Sequence, residues 1–184
     1  FQLIIAPIFI LLNLLVSYLS GQVLHLPLFM DMIFVYAAAF VGVPCGIVTA
    51  ILFSVAGAIF LQHDFAYSLY AVCTVTGVFL TWLLITRKED FSWVRVALLI
   101  FLSSVIISLE GALVYSLFLS DRGGPNEILS VVFLTYTLVM QNFGLYFSAF
   151  LARLPVNLLD KAIAVLAGLG IFSLLSFLRR RHKA

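Results

Sequence analysis

Apolar residues in this chain gather into long runs, and polar residues collect in short gaps between them. The runs are of helix length rather than short alternating segments, so they predict a bundle of helices and not a β-barrel. They place helices at about 1–20, 28–41, 44–61, 65–86, 92–119 and 157–178. A helix of roughly 20 residues at about 1.5 Å per residue covers a hydrocarbon layer about 30 Å thick. The gaps read "VGVP", "QHD", "RKED" and "SDRGGPNE", and Pro44 is tolerated in a first helical turn. The second helix reaches only roughly 21 Å. It cannot cross alone, so the loop before it, "GQVLHLPLFMD" at 21–31 with Pro27 as its breaker, is expected to dip into the membrane and line a cavity.

Composition turns this pattern into a statement about solvent. Hydrophobic residues make up 64% of the 184 positions and charged residues only 10%, against roughly half and a quarter in a soluble domain. That excess is too large to bury in one small core, so the surroundings are lipid. The expected fold is an all-α integral membrane bundle of six transmembrane helices, one domain over 1–184, with a helical outer-face segment between the fifth and the last. The first run contains Pro7 and has no cleavage-site pattern, which favours a span over a removable signal peptide. Cys45 and Cys73 lie inside apolar runs without CxxC spacing and are expected to be packing residues.

Segment 127–153 is the difficult one, because it is long enough to span yet carries Thr135, Tyr136, Thr137, Gln141, Asn142 and Gly144. Charge decides between the two topologies. Seven of the ten basic residues fall in two clusters, Arg87, Lys88, Arg95 and Arg179, Arg180, Arg181, Lys183. Such clusters mark cytoplasmic ends. Both face the cytoplasm if 127–153 folds back on the outer side; they fall on opposite sides if it spans, which makes seven spans the alternative. Six spans put both termini inside and the 21–31 loop outside, where His25 and Asp31 are hydrated at little cost.

Candidate chemistry lies with polar groups inside or beside the spans, since a carboxylate at the bilayer centre costs about 2.5–3.5 kcal/mol on insertion scales and usually faces a cavity or a partner. Glu110, in "IISLEGALVY", is either a hydrogen-bonded residue of the bundle or a ligand contact. Asp160 and Lys161 open the expected last helix; as helix neighbours they point about 100° apart and are not expected to form a simple pair, and Lys161 reads as an interface anchor. Asn126 sits in the glycine-containing "RGGPNE" loop, a turn that can bring backbone close to a ligand. Gln141, Asn142, Arg153 and Asn157 add hydrogen-bonding groups. The expected ligand contacts are Asp31, Glu110, Asn126, Gln141, Asn142 and Asn157, in a mostly apolar site that suits a small organic molecule. Asn13, Ser17 and Gly21 form a small and polar stripe on one face of the first helix, open either to its own bundle or to another subunit.

Several functions are set aside. There is no GxxxxGK[ST], HExxH or GxSxG, and His25, His63 and His182 lack metal-ligand spacing. "RRRHK" reads as a topology anchor rather than a nucleic-acid surface. No enzyme, cofactor or metal site is expected.

Three stretches carry a family resemblance: "LLNLLVSYLSGQVLHLPLFMDMIFVYAAAFVGVPCGIVTAIL" at 11–52, "SLFLSDRGGPNEIL" at 116–129 and "LPVNLLDKAIAVLAGLGI" at 154–171. With the size and the six-span topology, the chain resembles the substrate-binding (S) components of energy-coupling-factor transporters, the ABC-type vitamin importers of prokaryotes. The resemblance implies a six-helix binding protein of the prokaryotic plasma membrane, closed over its ligand by the first loop and the loop between the fifth and last helices. It also implies a transmembrane coupling subunit and two cytosolic ABC ATPases as partners. The family's AxxxA-like docking motif is not matched, since Ala6 is followed by Ile10; the Asn13/Ser17/Gly21 stripe is the candidate partner contact instead. Metal-ion members use an N-terminal His motif that is absent here, so an organic ligand is expected. The alternative reading is the membrane sensor domain of a signalling protein; a small autonomous transporter is disfavoured because neither paired intramembrane charges nor an inverted repeat is visible in the sequence.

Overall fold

The computed structural model describes residues 2–62, 64–88, 91–120 and 128–181, and these form an all-α bundle. Helix α1 (Gln2–Tyr18) runs on into a π-helical turn at Leu19–Val23, and α2 (Ile33–Val41) and α3 (Val43–Phe60) follow. A 3₁₀ turn at Phe65–Tyr70 leads into α4 (Ala71–Thr81), whose last turn, Trp82–Thr86, is again π-helical. Helix α5 (Trp93–Val114) ends the same way at Tyr115–Leu119, and α6 (Leu129–Met140) and α7 (Leu145–Arg181) follow. Among the described residues, five stretches are long and apolar enough to cross a membrane: Ile4–Val23, Val43–Phe60, Phe65–Thr86, Trp93–Leu119 and Leu145–Leu178.

The second expected helix, α2, is nine residues long, roughly 14 Å. It starts at Ile33 instead of near 28, because residues 24–32 form an irregular loop with His25 and Met30 at φ of 48° and 49°. Helix α2 is hydrophobic on every side, as its burial requires: Val35 to Ala39 are all at most 1% exposed. Helices α1, α3, α4 and α7 surround it. Glycines permit the closest of these approaches. A Cβ at Gly168 would stand 2.9 Å from Tyr36 Cβ and 3.0 Å from Ala37 N, and one at Gly46 would stand 2.7 Å from Val78 Cγ1.

No side chain next to α2 caps its first turn. Asn13 of α1 does so from across the bundle: its Oδ1 accepts from Phe34 N–H at 3.0 Å, and its Nδ2 donates to the carbonyl oxygen of Asp31. Asn13 is fully buried. At the α3–α4 turn Asp64 supplies a local cap, its Oδ1 accepting from Ala66 N–H at 2.9 Å.

The helical segment expected between the fifth and last helices is only partly separate. Its first half is α6, but residues 145–153 belong to α7, which runs without a break through Pro155 to Arg181. The last helix thus begins twelve residues before the expected 157. Pro155 gives up one backbone hydrogen bond and does not end the helix.

Ala6 and Phe9 of α1 cluster with Cys45 of α3 and pack against Leu175 of α7. Phe40 at the end of α2 packs against Phe172 of α7 with ring centroids 6.1 Å apart, and α2 also contacts the Trp82–Thr86 turn. The start of α1, the π-helical turn after α4 and the end of α7 therefore share one end of the bundle, which brings Arg87 and Lys88 to the same end as the 179–181 turn of α7. Cys45 and Cys73 are buried and free, as expected of packing residues.

Candidate ligand-binding site

The other end of the bundle is loosely filled. A cavity of about 710 Å³ lies between the 21–31 loop, the ends of α1 and α3, and the 3₁₀ turn before α4, with Ile128, Leu129 and Ser130 along one side. A second hollow of about 160 Å³ lies deeper, against α5 and α7. The two share Phe29, Asp31, Gln62, Tyr67, Tyr70 and Thr74 on their walls, so they form one cavity with a deep end. Its size falls in the range of roughly 300–1,000 Å³ common for small-molecule sites.

An ionic cluster fixes the loop over this cavity. Lys161, 1% exposed, donates from Nζ to Asp160 Oδ2 at 2.7 Å and to Asp31 Oδ1 at 3.3 Å. Asp160 Oδ1 in turn accepts from the backbone N–H of Met30 at 2.6 Å. The left-handed conformation at Met30 is uncommon for a residue with a side chain, and the bond to Asp160 holds it. One buried lysine and two carboxylates thereby join α7 to the start of α2.

This arrangement corrects two expectations. Asp160 and Lys161 do pair, because the long lysine stem folds back although the two Cβ directions diverge. Lys161 is also no interface anchor: both residues lie in the middle of α7, Asp160 fully buried.

Helix α7 approaches α5 closely because α5 presents Ser103, Ser104, Ser108, Gly111 and Ala112, all buried. Asn157 Nδ2 donates to Ser108 Oγ at 2.9 Å, and Ser104 Oγ to the Asn157 carbonyl at 3.3 Å. One turn earlier stands Arg153, 7% exposed. Its guanidinium lies over the Tyr115 ring at 4.5 Å, and Nη1 donates to the Ala149 carbonyl at 3.3 Å. Arg153, Asn157 and Lys161 all line the deep end.

Of the expected ligand contacts, Asp31 and Asn157 meet at this cavity. Glu110 lines neither part of it; its Oε1 accepts from Thr76 Oγ1 at 2.7 Å. Gln141 and Asn142 form the exposed turn between α6 and α7, with Asn142 at φ 67°, and line neither part either. Their place in the site requires all of 127–153 to lie over the bundle, whereas residues 145–153 belong to α7. Asn126 lies outside the described residues. In the stripe on α1, Asn13 and Ser17 turn inward to the 30–34 segment, Ser17 Oγ reaching the Met30 carbonyl at 3.5 Å. Gly21 stays exposed on the rim of the cavity.

Sequence reasoning passed over Arg153 and Lys161 as principal cavity residues, and Gln62, Tyr67 and Tyr70 altogether. A signal was present for part of this set. Arg153, Asn157 and Lys161 fall at i, i+4 and i+8, one polar line along an otherwise apolar helix. Starting the last helix after Pro155 hid that line. Gln62 lies in a turn, and its Oε1 is buried without a hydrogen-bond partner.

Family models, curated proteins and solved structures give no match to the chain.

Proposed function

We propose that the chain is a membrane-embedded binding subunit that captures a small organic molecule in the cavity beneath the 21–31 loop. In this reading it is the substrate-binding component of an energy-coupling-factor type importer, working with a coupling subunit and cytosolic ABC ATPases and having no catalytic step of its own. The observation that carries the reading is the cavity itself. Apolar and aromatic walls enclose a few polar groups, among them a buried Gln62 oxygen with no hydrogen-bond partner among the described residues. Such a wall favours a ligand with both a flat apolar body and hydrogen-bonding edges. The loop that covers it is held by ion pairs rather than by packing alone, a closure that can be exchanged for an open state. With the basic ends cytoplasmic, the cavity opens to the outside.

One observation favours a second reading, a sensor domain. Helix α7 is continuous from the cavity wall at Arg153 to the basic end at Arg181, so a shift at the ligand would reach the other end through one rigid element.

Recovery of the chain from its native membranes in mild detergent separates the two. Co-purification of a membrane coupling protein with ABC ATPases, and ATP-dependent uptake by the reconstituted complex, is the expected outcome. Recovery in covalent or stable association with a kinase or cyclase, and without ATPases, would transfer the case to the sensor.

A further inference from the structure

We propose that the deep end of the cavity receives the anionic head of a small organic acid, with the Arg153 guanidinium as its counter-charge. The inference rests on the ligand-binding reading above and gives that ligand its chemical class.

The argument starts from where the buried charges go. Lys161 is met by Asp160 and Asp31, and Asp160 also holds the Met30 N–H. The two carboxylates beside Lys161 are thus committed to the loop closure. Arg153 is more than nine-tenths buried and has no carboxylate partner among the described residues. It has the face of Tyr115 and one carbonyl of its own helix, at 3.3 Å. A guanidinium carries five N–H donors in one plane, so most of its hydrogen-bonding capacity is left for the hollow that it lines. A cation in apolar surroundings is costly unless paired. The planar fork of arginine matches the two oxygens of a carboxylate, and less specifically those of a phosphate.

The remaining walls define the rest of the ligand. Phe29, Tyr67 and Tyr70 border both the deep end and the larger space beyond it, so an acid with its head at Arg153 has an aromatic or otherwise apolar body between them. Gln62 Oε1, unpartnered and on the same wall, offers an acceptor to a donor on that body. The hollow at the deep end, about 160 Å³, holds a head group and a ring, while the 710 Å³ space takes a longer tail.

The test uses the full chain in phosphatidylcholine nanodiscs, titrated with benzoate, nicotinate and indole-3-acetate and with the primary amide of each. At least one acid is expected to bind, with its amide at least about thirtyfold weaker, the scale on which a buried charge pair loses a partner. Arg153→Gln should abolish that preference, and Arg153→Lys should restore part of it. The ligand-free Arg153→Gln protein should melt at or above the wild-type temperature, because an unpaired buried charge has been removed. Equal binding of acid and amide overturns the acid class while leaving small-molecule binding intact. Failure of every probe overturns it too, and the co-purification experiment then judges the broader reading separately. A ligand-free Arg153→Gln protein that melts well below wild type reveals a structural partner for Arg153 and also overturns the proposal. Nanodiscs containing phosphatidylglycerol separate a lipid source of the oxyanion: loss of acid binding in them assigns the site to a lipid phosphate and rejects the small acid.

Discussion

Two cations on one helix, Lys161 and Arg153, are both buried and both border the same cavity, yet they are treated in opposite ways. Around Lys161 the chain has assembled two carboxylates from distant parts of the sequence, and the cluster fastens the 24–32 loop to α7. Around Arg153 it has placed an aromatic ring and a carbonyl of the same helix. Eight residues, about two helical turns, separate a charge committed to structure from one left with donors to spare. Burial alone therefore does not identify a binding residue. What distinguishes the two is how completely the protein satisfies each, and that distinction is open to experiment.

The largest effect should come from breaking the satisfied side. Lys161→Met keeps the bulk of the stem and removes the ammonium, which leaves the fully buried Asp160 without its counter-charge, with the half-buried Asp31 nearby. Removing one partner of a buried ion cluster costs about 3–5 kcal/mol. Thermal melting of the purified protein should record a loss of that order, together with faster proteolysis of the 24–32 loop. Adding Asp160→Asn should recover part of the loss by removing one of the stranded charges. If Lys161→Met melts like wild type, the cluster is not a structural pin and its contrast with Arg153 collapses.

A smaller effect is expected at Asn13, which supports the same loop without charge. Asn13→Leu deletes two hydrogen bonds and leaves the Phe34 N–H unsatisfied at the first turn of α2. A buried donor left without a partner costs about 1–3 kcal/mol. Chemical denaturation should therefore place this variant between wild type and Lys161→Met. A loss as large as that of Lys161→Met would mean that the cap of α2, rather than the ion cluster, holds this end of the bundle together.

The bundle was legible in the sequence because lipid demands long apolar runs, and every such run became a helix. The short second helix was legible in part: a run of fourteen residues cannot cross a membrane as one helix, but its start lies at Ile33 and not near 28. The boundary at Pro155 was not. A proline in a soluble helix is a fair stop signal, but in lipid a helix tolerates it because neighbouring helices supply the missing contacts. That single boundary displaced Gln141 and Asn142 into the expected site and kept Arg153 and Lys161 from being read as one face. Asp31 and Asn157 were found because a polar residue in apolar surroundings is conspicuous by itself. The partners of Lys161 were not: Asp31 lies 130 positions away, and the adjacent Asp160 is a partner only because the lysine stem folds back along the helix.

Glu110 gives the smallest predicted effect and the sharpest check on how site residues are chosen. It is as conspicuous in the sequence as Asp31, a lone carboxylate in an apolar helix, and on that ground it was expected to contact the ligand. The structure gives it a different neighbour, Thr76 on α4, whose hydroxyl donates to Oε1 at 2.7 Å, and neither part of the cavity includes it. Glu110→Gln retains an acceptor for that hydroxyl and should leave ligand affinity within about twofold of wild type, the range of substitutions away from special sites. Arg153→Gln, measured beside it with the same acid, should lose at least about thirtyfold. A tenfold or greater loss in Glu110→Gln would instead extend the binding site along the α4–α5 interface, and the unpaired Glu110 Oε2 would be the first atom to place against the ligand.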